Sequence, residues 1–136
     1  ASADIASALR LSDIVVTTTP SDRPLVMGDW LQPGQHITAM GSDQEHKVEL
    51  DPSCLAKASC YVPDSLAQSA IKAGVFTPDQ SFSNLGDIAS GKARGRKSAS
   101  DITIADLTGT GVQDTAIATL ARQRADAAGM GTTFAS

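Results

Sequence analysis

Cysteine, long apolar runs and excess positive charge are all scarce in this chain, and each shortage closes off a class of function. Cys54 and Cys60 have no further sulfur and no histidine pair at metal spacing to join them, so no metal site is expected. They read as small core residues of a reducing compartment, a disulfide being conceivable only if the protein were secreted. Apolar stretches such as Ile14-Val15-Val16 run only a few residues. A bilayer span needs about 20, so no membrane segment is expected. Ala1 to Leu9 contains Asp4 and no basic start before an apolar core, so no secretory signal is expected in it and the reading is cytoplasmic. The chain opens on Ala1 with no initiator methionine. Lys and Arg number 11 against 15 Asp and Glu, for a net charge of −4. Nucleic-acid backbones are gripped by clustered cations, so a small-molecule ligand is the better expectation.

What is present suffices for one core. The chain has 136 residues and is 41% apolar, enough for a single domain. The run 13–19, Asp-Ile-Val-Val-Thr-Thr-Thr, is β-branched almost throughout and ends at Pro20, which predicts a strand buried on both faces. Leu25 to Leu31 leads into a Pro33-Gly34 turn, and a second strand is expected over His36–Met40. Asp51 before Pro52 is an N-cap followed by proline at the first helical position, with Cys54, Leu55 and Ala58 on a short apolar face. A third strand is expected at 59–62, closed by Pro63-Asp64. Helices follow at Ser65–Ala73, ended by Gly74, and at Asn84–Ser90, stopped by Gly91. A fourth strand, Ile102–Ala105, leads through Thr108-Gly109-Thr110-Gly111 into a helix from about Val112 to Ala128. Val112, Ala116, Ile117, Leu120 and Ala121 share one of its faces.

Strands alternating with helices at this spacing predict an α/β fold around a parallel sheet. Ligands in such sheets lie beyond the carboxyl ends of the strands. The residues there are Thr17–Thr19, Gly41–Asp43, Pro63–Asp64 and Asp106–Gly111. Asp43, delivered by an apolar run that stops at Gly41, is either a turn cap or a charge held where chemistry happens. Gly109-x-Gly111 lies between a strand and a helix as in a dinucleotide fingerprint, but Asp114 occupies the third glycine position and would repel a pyrophosphate. A tight turn is the better reading of the pair, with close approach to a nicotinamide ring or substrate as the other.

The stretches SDIVVTTTPSDRPLV, MGSDQEHKVELD and SASDITIADLTGTGVQDTAIATLA occur in order along most of the chain. Together they resemble the ornithine cyclodeaminase and mu-crystallin family, and within it the members associated with ectoine utilisation. The resemblance implies a homodimeric enzyme with an NAD(P)-binding Rossmann domain set between segments that build a substrate and dimerisation domain. On that pattern, residues from 1 to about 106 form the latter half of the Rossmann domain, and residues from about 107 to 136 form the helix returning to the other domain. It also implies chemistry in which NAD, or NADP, takes hydride from the amine-bearing carbon of a small amino acid and later returns it, with loss of ammonia between. Asp43 falls on the catalytic acid/base. Thr18, Thr19, Ser42, Thr108 and Gly109 fall on cofactor-lining positions, and Gly111 and Val112 on substrate-facing ones. Imine reductases, amino-acid dehydrogenases and a non-catalytic, ligand-binding protein are the alternatives within the same resemblance.

Glu45-His46 stands where the family usually has Pro-Gly before the lysine matching Lys47, and Leu107 where many members have serine. The segment after Gln68 is shorter than the family pattern, as though a helix between Ser69 and Ala70 were missing. His46 reads as a solvated loop residue rather than a proton carrier, and Trp30 as a core anchor rather than a dimer contact. Lys92, Arg94, Arg96 and Lys97 read as an exposed basic loop rather than a phosphate site.

Overall fold

The computed structural model describes residues 4–42, 44, 46–64, 83–132 and 134. Four parallel strands carry the architecture: β1 (Ile14–Thr17), β2 (His36–Ala39), β3 (Cys60–Pro63) and β4 (Thr103–Asp106), in the spatial order β1-β2-β4-β3. Each expected strand is present, shifted by a residue or two at its ends. Strand β4, last in sequence, inserts between β2 and β3, an order that no local pattern in the chain specifies.

Register sorts the side chains onto two faces. Val15, Ile37, Ile104 and Tyr61 lie side by side across the sheet. This row packs with Leu9, Val26, Leu31 and Cys54 into the core, with Trp30 half-buried against it. Ile37 and Ile104 are fully buried, worth about 1.5–3 kcal/mol each on transfer grounds. Burial also pushes the Cys54 thiol up to about 12, with the Asp51 charge adding to the effect. Both cysteines are free thiols.

The opposite face carries His36, Thr38, Cys60, Val62, Thr103 and Ala105, with Ile88 set over it. On β1 the same face presents Ile14 and Val16, which are 68% and 57% exposed. The expectation of a first strand buried on both faces is therefore corrected. Among the described residues β1 is an edge strand, and only its Val15 row meets the core. A β-branched composition marks a strand, but what covers its second face is a tertiary matter.

Local signals set the helices. The Asp4 side chain caps α1 (Ile5–Arg10), a helix that the sequence pattern did not reveal. Asp51 caps α2 (Pro52–Lys57), accepting from the Ser53 amide at 2.9 Å. Asn84 caps α3 (Leu85–Ala89) in the same way through the Asp87 amide. The stretch after β1 forms a 3-10 turn at Gly28–Trp30. Helix α4 (Gly111–Ala127) matches its expected span within a residue. Its apolar residues Val112, Ile117 and Leu120 are exposed, so its periodicity finds no partner among the described residues. The helix expected at Ser65–Ala73 and the short segment around Ser69 and Ala70 lie outside them.

Candidate functional site

The carboxyl ends of the four strands form a continuous rim. Backbone bonds carry the pairing past the strand ends: the Met40 amide donates to the Thr17 carbonyl, Leu107 to Ala39, and Asp64 to Asp106. Thr17–Thr19, Met40–Ser42, Leu107–Gly109 and Asp64 thus follow one another along one edge. Two carboxylates tie this rim together.

The first is Glu49, which the sequence reading passed over. Its residue is 0% exposed. Oε1 accepts from the Thr19 amide at 2.6 Å and the Thr19 hydroxyl at 2.9 Å. Oε2 accepts from the Thr17 hydroxyl at 2.8 Å and the Gly41 amide at 2.7 Å. Four donors from the ends of β1 and β2 therefore saturate a buried carboxylate, which supplies the hydrogen bonds that its burial requires. Backbone pairing puts Glu49 there. Its carbonyl accepts from Leu25 and Val26, while Val48 donates to Ser21 and Asp51 to Val26. Gly41 makes the close approach possible, since a Cβ there would sit 2.0 Å from the Thr19 carbonyl oxygen.

The second is Asp64, just past β3. Oδ1 accepts from the Thr108 hydroxyl at 2.8 Å, and Oδ2 from the Thr108 and Gly109 amides at 2.9 and 3.1 Å. One row below, the Tyr61 hydroxyl donates to the Asp106 carboxylate. Gly109 has φ of +77°, a left-handed conformation that favours glycine. Gly111 needs no such φ, and no described residue lies where a Cβ would go. The tight-turn reading therefore holds for Gly109 and not for Gly111.

Of the candidate residues, Thr18, Thr19, Ser42, Thr108 and Gly109 all fall on this rim. Ser42 and Thr108 are buried, Thr19 is half-buried, and Thr18 and Gly109 are exposed. Gly111 and Val112 begin α4 and are exposed, one step removed from the rim. Asp43 lies outside the described residues, between Ser42 and Gln44, which are described. His46 is exposed, as read from sequence. The basic loop hides one specific role: the Arg96 guanidinium donates to the carbonyls of Gln35 and Asp101 at 3.2 and 2.8 Å and to the Thr103 hydroxyl at 3.2 Å. It fastens the loop to the amino end of the sheet, away from the rim. Beside it, His36 meets the Thr103 hydroxyl through Nδ1 at 2.7 Å. Desolvation, and then the Arg96 charge, hold its imidazole below the usual value of 6.5.

A sequence signal for Glu49 is hard to find. Val48-Glu49-Leu50 alternates as a half-exposed strand does, which would send the charge outward. Only the pairing with residues 21–26 turns it in.

Residues 1–129 match the model of the ornithine cyclodeaminase/mu-crystallin family, and the chain belongs to that family. An uncharacterised cyclodeaminase of Sinorhizobium fredii is 55% identical over 144 residues, which take in 100% of this chain and 44% of the relative. The solved archaeal alanine dehydrogenase dimer with bound NAD superposes with a TM-score of 0.81 at 34% identity, over 97% of this chain and 43% of that one. The iminosuccinate reductase of Paracoccus denitrificans, solved in complex with NAD+, gives 0.78 at 34% identity, over 95% and 42%. The fold is thus the Rossmann-like parallel sheet with a long C-terminal helix. The chain spans less than half the length of each of these relatives.

Proposed function

We propose that the protein bearing this chain is an NAD(P)-dependent enzyme of cyclodeaminase type, acting on the carbon–nitrogen bond of a small diamino acid or related imine, with ectoine degradation as its setting. In this reading residues up to about 106 are the latter half of the cofactor domain, and residues from about 107 return to a substrate and dimerisation domain. The protein is then a cytoplasmic homodimer. One observation carries the reading: a rim of hydroxyls and backbone amides, fixed by Glu49 and Asp64, stands at the carboxyl ends of a parallel sheet, where such folds bind their ligands.

The rim suits the nicotinamide end of a dinucleotide. Thr18 and Gly109 are exposed on it, Thr19 and Thr108 are tied down next to them, and Gly41 brings two strand ends close together. Bound NAD supplies a hydride acceptor at the amine-bearing carbon, and the protein supplies position and protons. Thr18, Thr19, Ser42, Thr108 and Gly109 line the cofactor, while Gly111 and Val112 face the substrate. Asp43 holds and moves the proton at the substrate nitrogen, since each change at that nitrogen gains or loses one.

Similarity to alanine dehydrogenase and iminosuccinate reductase favours a second reading, net oxidation or reduction of an amino acid. Mixing the whole protein with NAD+ and small diamino acids or alanine separates the two. Ammonia release without net NADH supports the cyclodeaminase. NADH formed mole for mole with substrate consumed supports the dehydrogenase. NAD binding with no turnover of any amine would leave a ligand-binding protein and overturn both.

A further inference from the structure

The geometry points to Glu49 as a positioning residue: its buried carboxylate sets the shape of the nicotinamide-facing rim by holding the ends of β1 and β2 in one arrangement. The inference deepens the function proposed above and rests on it. Glu49 is 0% exposed, so it offers no surface for a substrate or cofactor to touch. Whatever it does for the reaction passes through Thr17, Thr19 and Gly41.

The arrangement needs a carboxylate. Thr17 and Thr19 lie 32 and 30 residues before Glu49, and Gly41 lies 8 before it. Two of the four donors are backbone amides that no other described group receives, and a buried amide without an acceptor is costly. Each oxygen takes two donors, which a carboxylate accommodates. A glutamine of the same shape offers one acceptor oxygen and turns an NH2 toward two of these donors. The crowding at Gly41, where a Cβ would lie 2.6 Å from Oε1 and 2.0 Å from the Thr19 oxygen, shows how closely the two strand ends close around the carboxylate. With the clamp broken, the Thr18–Thr19 and Gly41–Ser42 segments separate, and the surface offered to a nicotinamide ring changes while the sheet beneath remains paired.

The test uses the whole protein with Glu49→Gln, and with Thr17→Val, an isosteric change that removes one hydroxyl donor. Amide hydrogen exchange reads the clamp, and fluorescence titration with NADH reads the rim. In Glu49→Gln whichever of the Thr19 and Gly41 amides faces the new NH2 should exchange at least about tenfold faster, with Ile37 and Ile104 unchanged. NADH affinity should fall by at least about tenfold. Thr17→Val should move both in the same direction by less, and it carries both readouts if Glu49→Gln does not fold. Unchanged exchange at Thr19 and Gly41 overturns the clamp. Faster exchange with undiminished affinity reduces Glu49 to a structural residue and overturns the positioning role. A wild-type protein that binds no NADH sinks the proposed function and this role with it, whereas normal wild-type binding and an unaffected variant sink this role alone.

Discussion

Asp64 and Thr108 join the ends of two neighbouring strands through both the amide and the hydroxyl of the threonine, at 2.9 and 2.8 Å. Their contact makes the loop after β4 an extension of the sheet rather than a free segment.

Asp64→Ala should therefore lower stability by about 2 kcal/mol, the scale for hydrogen bonds to a charged acceptor. Asp64→Asn keeps the shape and one acceptor oxygen, so its loss should fall between that of alanine and wild type. Urea denaturation of the two variants checks the order. Equal stability for all three proteins would show that the loop does not depend on Asp64.

Two glycines on the rim should respond differently to alanine. At Gly41 the new Cβ meets backbone of Thr19 at 2.0 and 2.5 Å, and backbone cannot yield as a side chain can. Overpacking of this kind costs about 1–3 kcal/mol or more. At Gly109 no described residue lies where a Cβ would go, and the expected cost is that of its φ of +77°, about 1–2 kcal/mol. Gly111→Ala faces neither obstacle and should be neutral to stabilising. Thermal unfolding of the three variants tests the ranking, with Gly41→Ala expected to be the least stable.

The pH dependence follows from His36. Its folded value lies below the unfolded value of 6.5, so the unfolded chain binds the proton more readily. The contribution is whole above 6.5 and is lost as pH falls through the lower folded value. Asp4, Asp51 and Asp101 are held below 3.8, chiefly by the Ser7, Ser53 and Ser98 hydroxyls. Their contributions are present above 3.8 and are lost only as pH drops through their folded values. Denaturation midpoints measured from neutral pH downward should begin to decline below 6.5 in the wild type. In His36→Gln the decline should wait for the carboxylates, and an identical early decline in that variant would remove His36 as its source.

Asp43→Asn tests the proposed acid/base. Asparagine caps a turn about as well as aspartate, but it cannot carry a proton. Turnover by the whole protein should fall about 10²- to 10⁴-fold with NAD affinity retained. Activity within about threefold of wild type, far short of that range, would return Asp43 to the role of a turn residue.

Much of the architecture is legible one residue run at a time. Isoleucine-valine-valine at 14–16 marks a strand, Asp51-Pro52 and Asn84 mark helix starts, and Gly109 marks a turn, because each depends on the sterics and hydrogen bonding of near neighbours. The strand ends named the rim in the same way. Thr18, Thr19, Ser42, Thr108 and Gly109 are on it because a parallel sheet puts such residues there.

Tertiary structure alone decided what holds the rim and what the sheet leaves open. Strand order β1-β2-β4-β3, the exposure of Ile14 and Val16, and the inward turn of Glu49 all depend on partners distant in sequence. Glu49 reads as one more surface charge between two apolar residues until the backbone of residues 21–26 pairs with its own. Then four donors meet it, those from Thr17 and Thr19 drawn from 32 and 30 residues away. Propensities and caps act within a turn or a strand, whereas burying a carboxylate requires all its donors to arrive together, a condition set by the folded chain as a whole.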